Sequence, residues 1–152
     1  MAAVLRKVRE GELHAISMVA EATDAPIPPF MGAEIKPSTA DLRKAIIGGR
    51  IWVLAVPGRI DGYVLAYVRA RELVVDALVV DKKASNQGVG QKLLMGTEVL
   101  ARQKRCVAVL VRVTARIEAV ISRVHDSGYR LLRRQADTGG EHSYYVKPLK
   151  AH

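Results

Sequence analysis

The chain has 152 residues, 49% of them hydrophobic, which is one domain's worth with enough apolar mass for a core. Its single cysteine, Cys106, closes no internal disulfide and fits a reducing cytoplasm, and the run CVAVLV that it heads marks it as a buried, inert thiol. A net charge of +9 suits nucleic acid, a membrane surface or a polyanionic cofactor, but the cations are scattered, with no long basic run and no cluster of stacking aromatics.

Ala3 to Val8 reads as a first strand and Gly11 to Ala22 as a helix, with Leu13, Ile16 and Ala20 on one face. No apolar run nears the roughly 20 residues that cross a bilayer, and MAAVLRKVRE lacks the apolar segment of a secretory signal, so a cytoplasmic protein is expected. Residues 23–37 hold Pro26, Pro28 and Pro29, which forbid regular structure and stiffen a long loop. Ser38 and Asp41 form a capping-box pattern before a helix whose stripe is Leu42, Ala45 and Ile46, and Gly48-Gly49 ends it. Ile51–Val56, Tyr63–Arg69 and Glu72–Val80 follow as an antiparallel meander of strands.

The third of these strands leads into the densest motif. Val74 to Val80 is apolar except for Asp76, and a basic loop carries it to Gln87-Gly88-Val89-Gly90. From Gly90, the residues Leu93, Leu94, Thr97, Leu100 and Ala101 recur at helical spacing. Glycines at a helix start let backbone approach a ligand, and the unpaired N–H groups of the first turn attract an anion such as a phosphate. Cys106 to Val113 is a further apolar strand. Thr114 caps a helix with the stripe Ile117, Val120, Ile121 and Val124, stopped by Gly128. Tyr129–Arg134 and Ser143–Leu149 are the last two strands, turning near Asp137–Gly140. Period 2 puts Asp76 on one face with Val74, Leu78 and Val80, an apolar setting that would raise its pKa toward the range of a useful base. The same period sends Tyr144 and Tyr145 to opposite faces.

Leu78, Val80, Ser85, Gly88, Gly90, Leu93 and Leu94 follow a pattern that resembles the acetyl-CoA motif of the GNAT superfamily of acyl-CoA-dependent N-acyltransferases. The two glycines and the leucine pair match; Ser85 and Asn86 depart from the family's usual Arg or Gln followed by Gly. The order β-α-α-β-β-β-α-β-α-β-β is also that of the GNAT fold, and Gly128-Tyr129 stands where the family has Gly-Phe. The resemblance therefore implies a mixed α/β domain over residues 1–152. Its central sheet has about seven mostly antiparallel strands, flanked by four helices.

It implies further an enzyme that moves the acetyl group of acetyl-CoA, without a metal, to a primary amine of a small molecule or peptide by direct attack. The amides of Gln87, Gly88, Val89, Gly90 and Gln91 would hold the pyrophosphate, with Ser85 and Asn86 in the same turn. The motif strand would part from Val107–Val113, leaving Leu78, Val79 and Val80 to pair with the cofactor's pantetheine arm, and Lys82 and Lys83 at the mouth. Asp76 would take the proton from the amine. The family's usual acid, a Tyr four residues before the glycine, is Val124 here, and its usual Asn is Ile117. That departure keeps a second reading open, a non-catalytic acyl-CoA-binding or regulatory domain; the charge keeps a third, a basic protein associated with nucleic acid or ribosomes. Neither a membrane nor nucleic acid is expected as a partner, and a homodimer is allowed.

Overall fold

The computed structural model describes residues 5–21, 39–56, 59–81, 89–113, 124–137 and 140–150. Strand β1 (Arg6–Lys7) leads through a 3-10 turn at Glu10–Glu12 into helix α1 (Leu13–Glu21). Helix α2 (Thr39–Ile47) is followed by β2 (Ile51–Val56), β3 (Arg59–Arg69) and β4 (Glu72–Val80). Then come α3 (Val89–Gln103), β5 (Ala108–Val113), β6 (Arg130–Asp137) and β7 (Gly140–Pro148). The expected loop at 23–37 and the expected helix from Thr114 lie outside the described residues, save that helix's last turn, which includes Val124.

The strands form a seven-stranded sheet in the order β1-β2-β3-β4-β5-β7-β6. Every neighbouring pair is antiparallel except β4 and β5. A parallel pair needs a crossover, and α3 supplies it. Helix α3 buries the expected stripe, with Gly90, Leu93, Leu94, Thr97, Leu100 and Ala101 all inside. That stripe packs on the sheet face made by Trp52, Leu54, Val64, Ala66, Leu73, Val75, Leu78, Val109, Val111 and Tyr145. On the opposite face, Ile16 and Val19 of α1 and Leu42 and Ala45 of α2 cover Ile51, Val53, Ile60, Tyr63 and Val79. Two apolar layers around one sheet account for the burial of nearly every large aliphatic side chain in β2 to β5.

Helix ends follow local chemistry. At the end of α2, the Arg50 N–H donates to Ala45 O (2.9 Å) and the Gly49 N–H to Ile46 O (3.0 Å), with Gly49 at φ +65. The turn after Val124 repeats this pattern: Tyr129 N–H donates to Val124 O, Gly128 N–H to His125 O, and Gly128 has φ +95. Both are left-handed caps in which glycine avoids a Cβ penalty. Strand β3 begins at Arg59, four residues before the sequence expectation of Tyr63. An extra residue on β3, opposite Leu54-Ala55, lets Arg59, Ile60 and Asp61 extend the ladder with a bulge.

Candidate active site at the parting of two strands

Strands β4 and β5 pair only from Glu72↔Ala108 to Val75↔Val111. Beyond that point, β4 stays paired with β3 as far as Gly62↔Val80, and β5 stays paired with β7 as far as Val113↔Ser143. The two strands therefore diverge, and among the described residues the β4 edge from Asp76 to Val80 has no ladder partner on the β5 side. This is the wedge expected between Val74–Val80 and Val107–Val113. An unpaired strand edge is a template for an extended, amide-bearing ligand. Helix α3 follows β4 in the chain, and of its first residues Val89 and Gly90 are buried and Gln91 is exposed. Of the other residues expected in the glycine turn, Lys82, Lys83, Ser85, Asn86, Gln87 and Gly88 lie outside the described residues.

A bulge marks the point of divergence. Leu65 pairs with Ala77 but Ala66 pairs with Val75, so Asp76 is the extra residue on β4. A bulge breaks the alternation of faces and re-aims the side chain it carries. The expectation that Asp76 shares a face with Leu78 is therefore corrected. Leu78 joins Leu73 and Val75 under α3, whereas Asp76 opens into a cleft on the α2 side with Ala45, Leu65 and Tyr67. Period 2 failed because the inserted residue reset the parity. Val74, before the bulge, keeps the parity of Asp76.

The setting of Asp76 is also more polar than its strand suggested. The cleft is about 170 Å³, and Lys44 and Arg50 line it. Across the wedge, Arg112 Nη1 lies 3.8 Å from Asp76 Oδ1, within ion-pair range and beyond hydrogen-bond reach. The Asp76 carboxyl is raised above its ordinary pKa, chiefly because burial disfavours its charge; Arg112, Arg50 and Arg69 pull the other way. About a third of the side chain remains exposed, so water and ligands can reach it.

Two buried polar atoms are orphaned among the described residues, and both belong to residues on this side of the sheet. Arg112 Nε has no hydrogen-bond partner, and neither has the Tyr63 hydroxyl. Tyr63 pairs with Val79, level with the wedge, and its burial pushes its pKa up. Arg112 pairs with Tyr144, whose ring carries Arg133 at 4.6 Å from its centroid. Tyr145 turns the other way into the core under α3, which settles the orientation of that pair of tyrosines. Sequence reading gave no site role to Arg112, Arg50, Lys44 or Tyr67, taking Tyr67 as a plain sheet residue and Lys44 as one of the scattered surface cations. The signal for Arg112 was the same as for Asp76: each is the lone charge in the apolar interior of its strand.

The position the resemblance pointed to carries no acid. Val124 is fully buried with Leu93 and Tyr129, and His125 is exposed. Tyr129 instead donates to Glu98 Oε2 (3.3 Å), and Lys147 Nζ donates to Glu98 Oε1 (2.8 Å), a polar knot that ties α3 to β7. Among the described residues, no group of His, Cys, Asp and Glu is arranged to hold a metal ion, and no helix is long and apolar enough to cross a membrane.

Solved structures share this architecture. The ribosomal-protein-S18-alanine N-acetyltransferase from Escherichia coli is 16% identical, with 98% of this chain and 95% of that one covered at a TM-score of 0.78. The PaiA N-acetyltransferase from Thermoplasma acidophilum, in complex with coenzyme A, is 14% identical, with 98% and 100% covered at 0.75. YncA from Salmonella typhimurium, with its cofactor acetyl-CoA, is 16% identical, with 100% and 96% covered at 0.72. At such identities the likeness shows the fold alone. No curated protein matches the chain. The sequence pattern of the acetyltransferase (GNAT) family does match, over residues 5–122, which is most of the chain and includes α3, β4 and β5. The chain belongs to the acetyltransferase (GNAT) family.

Proposed function

We propose that the protein is an acetyl-CoA-dependent N-acetyltransferase, acting as a single domain on a primary amine in the cytoplasm. The observation that carries this reading is the divergence of β4 and β5 at a bulge that presents a carboxylate. The edge of β4 from Asp76 to Val80, unpaired among the described residues, offers backbone N–H and C=O groups to the amides of the pantetheine arm. The first turn of α3, with Val89, Gly90 and Gln91, offers unpaired N–H groups and the positive end of a 15-residue helix to the pyrophosphate. Gln87 and Gly88 would complete that turn, with Lys82, Lys83, Ser85 and Asn86 beside it. Bound there, acetyl-CoA supplies an activated acetyl thioester.

Asp76 supplies the base. An amine acceptor arrives as an ammonium and attacks only once deprotonated. Asp76 takes that proton at its carboxylate, and its raised pKa brings it closer to the operating pH, where a general base works best. Arg112, across the wedge, keeps enough of the carboxylate ionised to accept it. Solvent protonates the departing thiolate, since Val124 offers no proton. A free thiol has a pKa of roughly 8.5, so the thiolate leaves without an acid at modest cost.

Burial of Val124 also favours a second reading, an acyl-CoA-binding domain that transfers nothing. Calorimetry with acetyl-CoA, followed by thiol release over a panel of amines, separates the two. Binding with acetyl-CoA-dependent thiol release supports the transferase. Binding without release on any amine supports the second reading, and absence of binding removes both.

A further inference from the structure

We propose that the acceptor is an amine carrying a carboxylate within one residue's reach, and that Arg112, Arg50 and Lys44 hold that carboxylate while Asp76 faces the amine. The inference rests on the transferase reading above and adds the acceptor's chemical class to it.

Three observations point the same way. The first is charge. Asp76 is the sole carboxylate among the described residues lining the cleft, against Lys44 and Arg50 on its wall and Arg112 across the wedge. Arg69 also acts on Asp76. One carboxylate among four cations leaves an excess of positive charge in a concave, partly dry site, where field lines are focused. A polyamine or a lysine-rich segment would enter against that field. An acceptor with its own anion would be drawn in.

The second is an unmet donor. Arg112 Nε is buried without a partner, and its Nη1 is 3.8 Å from Asp76, too far for a hydrogen bond. A guanidinium presents its donors as a planar fork that matches a carboxylate with two parallel bonds. Leaving a buried donor unpaired is unfavourable, and with 29% of the Arg112 side chain exposed an oxyanion can approach the fork. Asp76 itself does not fill that role, because the bulge holds it short of contact.

The third is size. The cleft of about 170 Å³ is smaller than the ~300–1,000 Å³ of a drug-sized ligand site, which suits a group on the scale of one amino-acid residue. Tyr67 gives it an aromatic wall and Ala45, Leu65 and Ala66 an apolar one, so the anion is carried on a short, partly apolar body.

The test compares matched acceptors: glycine, aspartate and glutamate, each beside its carboxamide, and each again as the first residue of a tripeptide. The expected result is that acids exceed their carboxamides at least tenfold in kcat/KM, and that Arg50→Gln and Arg112→Gln each shrink this ratio severalfold while acetyl-CoA affinity by calorimetry stays unchanged. A preference confined to free acids assigns a small molecule; one that persists in tripeptides whose first side chain is acidic assigns a peptide end. Equal or better turnover of the carboxamides would overturn the inference and leave the transferase reading intact. Should no acceptor be turned over, binding of the N-acetylated acids against their carboxamides, read by NMR with CoA present, decides the matter. Selective binding of the acids that weakens in Arg50→Gln supports the site even if catalysis fails; absence of selectivity overturns it. Arg50 is exposed at the start of β2, so that variant tests the idea without disturbing the core even if Arg112→Gln folds poorly.

Discussion

Replacing Asp76 by Asn removes the proposed base while keeping its shape and one of its oxygens. A positioned general base contributes roughly 10²–10⁴-fold. Asp76 is half-buried at a bulge that fixes its direction, yet a third of it meets solvent, and water can substitute in part. The lower end of that range is therefore expected: a fall in kcat/KM of about 10²-fold, equal to about 2.7 kcal/mol of transition-state stabilisation. Acetyl-CoA affinity should stay near the wild-type value, because the Asn retains the backbone edge of β4. The pH profile adds a signature that a merely structural role would not produce. Burial raises the Asp76 pKa, so the wild-type kcat/KM should climb with pH through a value above that of an ordinary aspartate, and Asp76→Asn should lose that limb. Arg112→Gln removes the largest opposing charge and should move the limb to higher pH. Linkage fixes the sign of the stability effect too. A carboxylate whose folded pKa lies above its unfolded pKa costs stability once pH passes both, so Asp76→Asn should not lower Tm at pH 7. Thiol release from acetyl-CoA measures the first effects and calorimetry the last. Full activity in Asp76→Asn, with the acidic limb unchanged, would refute the assignment and leave a water-relayed proton path.

The remaining expectations concern the cofactor turn, the core and one hairpin. Gly90→Leu, at the start of α3, should weaken acetyl-CoA binding tenfold or more, about 1.4 kcal/mol, measured by calorimetry; an unchanged affinity would remove the turn from the cofactor site. Val124→Tyr should lower stability by about 1–3 kcal/mol without raising activity, since Val124 is fully buried in the core that holds Leu93 and a larger side chain there overpacks it; thermal unfolding and thiol release check both parts. The turn between β3 and β4 places Ala70 at φ 49 and Arg71 at φ 65, the conformation of a type I′ hairpin that favours Asn-Gly. The double change Ala70→Asn, Arg71→Gly should raise stability by about 1 kcal/mol, or ~2–4 °C in Tm for a chain of this size.

The fold was legible because its signals are local. Ile51–Val56 and Glu72–Val80 have the boundaries their sequences suggest, since each is a β-branched run closed by turn residues or charge. The helix α3 stripe is buried residue for residue, because a 3.6 period over 15 residues leaves little choice of face. The meander, the crossover through α3 and the closing hairpin then follow from short connections and right-handed chirality. The extended start of β3 was not legible. Its bulge depends on the partner strand β2, and no property of Arg59-Ile60-Asp61 alone announces it.

The site was half legible for the same reason. A charge inside an apolar strand is visible in one dimension, and Asp76 stood out at once. Its face did not, because alternation holds only while the ladder is regular, and the residue that breaks the ladder is Asp76 itself. Its partner Arg112, which sequence reading passed over, obeys a rule that links two strands. Strands β4 and β5 are parallel neighbours, each apolar throughout its interior except for one charge, and the charges are opposite in sign. Neither charge is offset within its own strand, so each seeks the other or a ligand. They sit one step past the last paired residues, Val75 and Val111, where separation of the strands makes room beside both. That separation holds the ion pair at 3.8 Å instead of closing it, which leaves the carboxylate free to accept a proton and the guanidinium free to donate. A salt bridge closed to hydrogen-bonding distance would hold the fold more firmly and occupy the groups that the proposed chemistry needs.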